Sequence, residues 1–408
     1  MEIETLDVLM AKLQPSMRQP GSAEPALIFN QLDSFHPDHL ISELPEPENW
    51  LESDNPQSTP SPQQVSDPDN AAETDQQALS RLLGKQPIGM ARRSGGISSK
   101  SRRQQDLINS VVENLTNQAT SQDTSDQTTT ADHSDSRIQA DRLRGLLQEP
   151  EFRNLESRWR SLDWLLRNNP YDPDCPVYLL DFPTLADAEH EPQTDDFNNA
   201  IDALHQRLAR LDPSENQLIL IFDQWFNPTA EDIERLNRLG EVAKSLDALL
   251  IAGADDAFVN LDMDSSEGSA WQAFRQQDVA AHLMLSLPGL LLRLPYGRRY
   301  EPIEHFEFEE WTGAADSSAL LWGNPAYALS LILLSERMED REFQDRRFID
   351  WPAFAYPVDD EMEFQPATKS LYSEQDLQRL LQLGLVPAVG SRRQNSVQFP
   401  WLQTLKVD

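Results

Sequence analysis

The chain reads as an α/β protein with a parallel or mixed central sheet flanked by helices. Two observations predict this. Apolar runs at 177–182, 218–222 and 248–252 are short and lack the alternation of a half-exposed strand. Helical stretches at 197–211 and 229–246 separate them, so successive strands would be parallel, with right-handed crossovers.

Taken in order, Ile3, Leu6, Leu9, Met10 and Leu13 have the spacing of a short amphipathic helix, ended by Pro15 and Pro20. Leu27, Ile28 and Phe29 form the apolar part of a strand at 26–29. A helical turn starting at Ser34 or Pro37 then carries Leu40, Ile41 and Leu44. Residues 52–77 are rich in Ser, Pro, Gln and Asp, and 116–136 in Thr, Ser, Asp and Gln, compositions that predict disorder. Short helices are expected at 78–83 and 106–115. The organisation is therefore an N-terminal segment (1–51), a largely disordered linker with two short helices (52–136) and a main domain (137–408).

The main domain opens with helices at 138–147 and 151–166, separated at Pro150. Leu155, Trp159, Leu162 and Leu166 share one stripe of the second. A further helix is expected at 271–286. The run at 285–300, LSLPGLLLRLPYGRRY, reads as a buried strand or short extended piece between turns; it is too short to cross a membrane, and Arg293 interrupts it. Phe306 and Phe308 alternate with glutamates, as in a half-buried strand with an acidic outer face. A long helix is expected at 319–337, with Asn324 as cap and Pro325 at its first position. Another at 373–383 is stopped by Gly384. Finally, Val397, Phe399 and Trp401 alternate with polar Ser396 and Gln398, and Pro400 assigns this strand to a sheet edge. An edge with an apolar face invites pairing with another chain.

The 408 residues carry a net charge of −34. Residues 137–408 hold 25 Lys+Arg against 47 Asp+Glu, a balance of −22. Such a chain repels nucleic acid and anionic membrane. The one local exception is Arg92, Arg93, Lys100, Arg102 and Arg103, in a Gly/Ser-rich stretch. No apolar run is long enough to span a bilayer, and the N-terminus lacks a basic-then-apolar leader. The single cysteine, Cys175, excludes an intrachain disulfide and fits a reducing, cytoplasmic home.

Catalytic chemistry finds little support. Asp181 and Asp223 each follow an apolar run, as a magnesium-binding acid would, but no phosphate-binding GxxxxGK[ST] loop is present. His36 and His39 flank Asp38 without a metal-binding pattern, and Cys175 has no basic neighbour to lower its pKa. No cofactor or metal is expected. The nine tryptophans matter more, as packing or interface groups; Trp50, Trp351 and Trp401 lie in Pro-rich stretches where an internal core is least assured.

Several motifs together resemble the large subunit of the type VI secretion contractile sheath, the TssC/VipB family. Leu292, Arg293, Leu294, Pro295, Tyr296 and Gly297 match its LLRLPYG run. Phe306, Phe308, Glu309 and Glu310 match F.FEE, and Trp322, Gly323 and Asn324 match LLWGN. Upstream, Pro150, Phe152, Leu155, Glu156, Trp159, Arg160 and Leu162 match the family's PdFQ.LEa.WRgL pattern, with Ser161 where glycine is frequent. Near the N-terminus, FNQLDSFHPDHL is similar to its F..ldDFhPd.l motif. The glycine-rich segment that the family carries before its C-terminal strands is missing.

The resemblance implies a sheath-subunit-like fold and a bacterial, cytoplasmic, non-enzymatic role in a phage-tail-like contractile apparatus, as a homo- or hetero-oligomer. The partners it implies are the small sheath subunit, the inner tube, the baseplate and an AAA+ disassembly ATPase. Interlocked terminal strands would mediate assembly, here Leu27, Ile28 and Phe29 at one end and Val397, Phe399 and Trp401 at the other. The missing segment, the long linker and the negative charge leave open a non-polymerising adaptor at the baseplate or tail end. An ATPase or hydrolase without a P-loop is the outsider.

Overall fold

Two cores on opposite faces of one parallel sheet organise the computed structural model. It describes residues 4–18, 25–43, 126–170, 175–180, 194–208, 218–311, 319–339, 343–358, 361–391 and 394–407. The helices read at 78–83 and 106–115, the basic stretch at 92–103, Trp50 and Asp181 lie outside these residues.

Residues 1–44 and 137–408 form one folding unit. Its N-terminal part comprises helix α1 (Glu4–Leu13), strands β1 (Ser16–Arg18) and β2 (Pro25–Ile28), and helix α2 (Pro37–Glu43). β1 and β2 pair antiparallel. Then come α3 (Asp126–Gln148), α4 (Pro150–Arg167) and α5 (Thr194–Leu208). α3 starts well inside the stretch read as linker. Once a packed turn exists downstream, adding polar residues to a helix requires no second nucleation, so composition alone sets the boundary poorly.

The central sheet has the order β11 (Val386–Pro387), β5 (Leu283–Leu287), β4 (Leu249–Ala254), β3 (Ile219–Phe226), every pair parallel. Helix α6 (Ala230–Ser245) links β3 to β4, capped by Thr229, whose side chain accepts from the Asp232 N–H. Helix α7 (Ser266–Arg275) lies between β4 and β5. Leu250, Ala252, Leu283 and Leu285 belong to the core that includes Leu236, Leu239, Trp271 and Phe274. Ile251 and Met284, one residue out of phase, join the opposite core with Trp159, Leu329 and Ile332. Both faces are covered, so both sets of side chains are apolar, as the absence of alternation predicts.

The remaining elements are β6 (Leu290–Leu291), β7 (Trp322–Gly323), α8 (Ala326–Arg337), β8 (Arg347–Phe348), β9 (Phe354–Val358), β10 (Glu361–Gln365), α9 (Glu374–Gln382), β12 (Val389–Gly390) and β13 (Val397–Gln398). α9 carries a full capping box at Ser373 and Asp376, and Gly384 stops it at φ +82°.

Several expectations need correction. The stretch 271–286 is not one helix: α7 ends at Arg275, a 3-10 turn spans Asp278–His282, and Leu283 begins β5. The long helix expected at 319–337 starts only at Ala326, because Trp322 and Gly323 pair with Leu291 and Leu290. Residues 177–180 form no strand, and Tyr178 and Leu179 are exposed. Around Phe306 and Phe308 there is no ladder, only an isolated bridge between Gly297 and Glu309. Trp351 is buried, and its Nε1–H donates to the Leu291 carbonyl at 2.7 Å.

The strand near residue 397 is not at an edge. β13 is the middle strand of an antiparallel sheet with the order β12–β13–β8. Beyond it, the Leu405 N–H donates to Leu283 O at 2.9 Å and the Val407 N–H to Arg275 O at 3.1 Å. Arg275 in turn donates to Leu405 O and Gln382 O. Val397, Phe399 and Leu405, all fully buried, thus belong to the domain's own core.

Candidate functional site

The residues singled out in three separate stretches converge on one buried cluster. Arg293 leaves β6 and is only 6% exposed. Its Nε donates to Glu156 Oε1 at 2.8 Å and Nη2 to Glu156 Oε2 at 3.2 Å. Its Nη1 and Nη2 also donate to Glu310 Oε2 and Oε1 at 2.7 and 3.0 Å. One guanidinium thus makes two bidentate forks, the geometry that favours Arg over Lys. Arg160, one turn along α4 from Glu156, donates to Glu156 Oε1 at 2.7 Å and to the Tyr296 hydroxyl at 3.1 Å.

Two arginines face two carboxylates, so the cluster is neutral. Burial alone would raise the Glu156 pKa, but Arg293 and Arg160 outweigh it and hold the carboxyl below its ordinary value. Burial alone would lower that of Arg293, but Glu156 and Glu310 lift it well above the usual guanidinium value. Burial pushes the Tyr296 phenol up. Arg293 also lies over the Tyr296 ring, 4.2 Å from its centroid.

Backbone geometry locks the cluster in place. The Tyr296 N–H donates to Glu310 Oε2 and the Glu310 N–H to Tyr296 O, both at 2.8 Å. Pro295 is buried and turns the chain; a Cβ on Gly297 would collide with the Glu309 carboxylate. Phe308 and Glu310 point inward and Glu309 outward, with Phe306 half-buried. The alternation is right, but the acid at 310 belongs inside rather than on the acidic outer face.

α4 supplies the wall. Pro150 opens it, Phe152 is fully buried, Trp159 is 8% exposed and Leu155 half-buried. Phe152 packs edge-on against Phe29 and Phe35, whose own rings stack at 4.3 Å. Asp38 ties α2 to the segment before Phe306. It accepts from the Glu304 N–H at 2.9 Å and faces His305 Nδ1 at 2.9 Å. Burial would raise its pKa, but these hydrogen bonds lower it.

Asn324 is buried between β3 and α8. Its Nδ2 donates to Gln224 O at 3.1 Å and its Oδ1 accepts from the Ala326 N–H at 3.0 Å. Leu292 packs so closely on Gly323 that a Cβ there would lie 2.6 Å from Leu292 Cδ2; Leu294 and Trp322 are half-buried beside them. Asp223 accepts from the Tyr327 hydroxyl at 3.2 Å, with Arg158 Nε at 3.7 Å. Burial pushes its pKa up against both. Among the described residues no group of His, Cys, Asp or Glu has the arrangement of a metal site. A cavity at the signature residues, between Ser161, Gly323, Asn324 and Trp351, is about the size of one water.

The terminal candidates lie elsewhere. Leu27 and Phe29 are buried and Ile28 is 41% exposed, on a strand whose sole partner among the described residues is β1. Val397 and Phe399 are fully buried, and Trp401 is 42% exposed. The two strands belong to separate sheets. The sequence matched Glu156 and Glu310 to motifs but could not reveal that they share one arginine, and it gave Asp38 no structural role. No described helix is long and apolar enough to cross a membrane.

Comparison with known proteins places these features. Over 296 residues the chain is 23% identical to the type VI secretion system sheath protein TssC1 of Pseudomonas aeruginosa, covering 64% of this chain and 58% of that protein. It therefore spans under two thirds of that relative's length. The model of the VipB family, described as EvpB/VC_A0108, tail sheath N-terminal domain, matches residues 133–406. That match takes in α4, the arginine cluster, the parallel sheet and β13, and the chain belongs to the VipB tail sheath family.

Proposed function

We propose that this chain is a structural subunit of a type VI secretion sheath, acting by assembly rather than by catalysis. The observation that carries the reading is the arginine cluster at the family motifs. Its charged groups are saturated by one another, with Glu156, Arg293 and Glu310 closed to solvent, which suits a rigid structural joint and leaves no room for a substrate. In this reading the partner is a small sheath subunit, and the β1–β2 ribbon with its exposed Ile28 is the first assembly element. Trp401 is the C-terminal surface candidate, and Val397 and Phe399 support it from within. The setting is the bacterial cytoplasm. The adaptor alternative has less support, because the family match extends through the C-terminal strands.

The test is co-expression with a candidate small sheath subunit, followed by co-purification and negative-stain microscopy. Co-purifying polymers or regular oligomers, lost on Ile28→Asp with the fold intact, are expected. A monomeric chain that never co-purifies would overturn the reading.

A further inference from the structure

Trp225, near the C-terminal end of β3, is 38% exposed, an unusual position for an indole in a covered parallel sheet. A bulge places it there. β3 and β4 stay in register up to Phe222 and Ala252 and resume at Trp225 and Gly253, so Asp223 and Gln224 are additional. The bulge is fastened from beneath, because Asn324 Nδ2 holds the Gln224 carbonyl.

The ring rests on glycines. A Cβ on Gly253 would lie 2.8 and 2.9 Å from the bonded ring atoms Cε3 and Cδ2. One on Gly289 would lie 3.5 Å from Cη2. The residue nonetheless remains 38% exposed, and no described Arg or Lys lies over its ring.

The chain that leaves β4 next to the end of β3 is acidic. Asp255 follows Ala254, the register partner of Phe226, and its N–H donates to Phe226 O at 2.9 Å. From there residues 254–274 hold Asp255, Asp256, Asp262, Asp264 and Glu267 and no Lys or Arg. Of these, Asp256 has Lys369 Nζ at 3.3 Å.

We propose that the exposed indole of Trp225, with the carboxylates that begin at Asp255, is a docking surface for an arginine or lysine side chain presented by a basic protein partner. An indole face attracts cations through its quadrupole, more strongly where carboxylates deepen the local potential. A guanidinium also stacks on the ring plane. Charge complementarity selects this occupant: a chain of net charge −34 attracts basic partners and repels acidic ones. The inference does not rest on the assembly reading.

The experiment is calorimetry on the full chain with a Gly-Arg-Ser repeat peptide, and with a Gly-Glu-Ser repeat as control. The arginine peptide is expected to bind and the glutamate peptide not. Trp225→Ala should weaken binding about tenfold. Asp255→Asn, which keeps the oxygen that caps the Ala257 N–H, should weaken it severalfold with no change in melting temperature. Should Trp225→Ala fail to fold, Trp225→Phe carries the aromatic arm with a smaller loss. Wild-type affinity in the folded variants, or equal binding of both peptides, would overturn the proposal. Polymer formation plays no part in the measurement, so its failure would leave the assembly reading standing.

Discussion

Arg293 and Glu156, 137 residues apart in sequence, meet through two hydrogen bonds of 2.8 and 3.2 Å inside the protein. Arg293→Met removes the charge that two buried carboxylates share. Breaking a buried pair from one side typically costs about 3–5 kcal/mol, and urea unfolding should show a loss in that range. Arg293→Lys should recover little, since an ammonium cannot make both forks. The acid limb is a second readout. The Glu156 pKa is depressed in the fold, so its stabilisation is complete above the ordinary carboxylate range and is lost as pH falls through the lower folded value. Arg293→Met should therefore lose stability at neutral pH and flatten the acid-induced loss.

Asp223 has the opposite sign. Its pKa is raised in the fold, so ionisation at neutral pH opposes folding, and the contribution recovers as pH falls through the raised value. Asp223→Asn keeps an acceptor for Tyr327 and removes the charge. Its melting temperature should rise at neutral pH and match the wild type in acid. A variant less stable at neutral pH would show that Arg158, 3.7 Å away, outweighs the burial.

Removing residues 396–408 should unfold the domain. The deletion takes the middle strand from the β12–β13–β8 sheet, together with Phe399 and Leu405, both fully buried. Circular dichroism and limited proteolysis check this. A folded truncated protein would mean that the β8 and β12 edges tolerate exposure.

Ser161→Ala should stabilise. The Ser161 hydroxyl is buried without a hydrogen-bond partner among the described residues, and an unsatisfied buried polar group costs about 1–3 kcal/mol. Alanine also favours the helix interior of α4. A rise in the urea midpoint at unchanged slope is the expected result; a fall would mean that the hydroxyl is satisfied in solution.

What the sequence disclosed follows from the range of the forces involved. β3, β4 and α6 were legible because continuous apolar runs and a Thr cap are local signals. The strand Leu283–Leu287 was hidden, since Ala280, Ala281, Leu283 and Met284 are good helix formers and only β4 and β11 alongside select the extended form. Glu310 looked like one more outward acid until Arg293 supplied a reason to bury it. The alternation at 396–399 was visible, but whether its edges were filled depended on Arg347 and Phe348, two residues with no strand signature of their own. Trp225 fell outside every motif, because a bulge held by a distant asparagine has no local pattern.

The bond from the Glu304 N–H to Asp38 spans 266 residues, and the edge-on contact of Phe35 with Phe152 also awaits later chain. At about 5–20 residues per second, translation reaches position 304 roughly ten to fifty seconds after position 38. Before position 152 is made, Phe29 and Phe35 have only each other and the β1–β2 ribbon for cover. The final packing of residues 25–43 is therefore set by chain made much later, and the local ribbon cannot complete it alone.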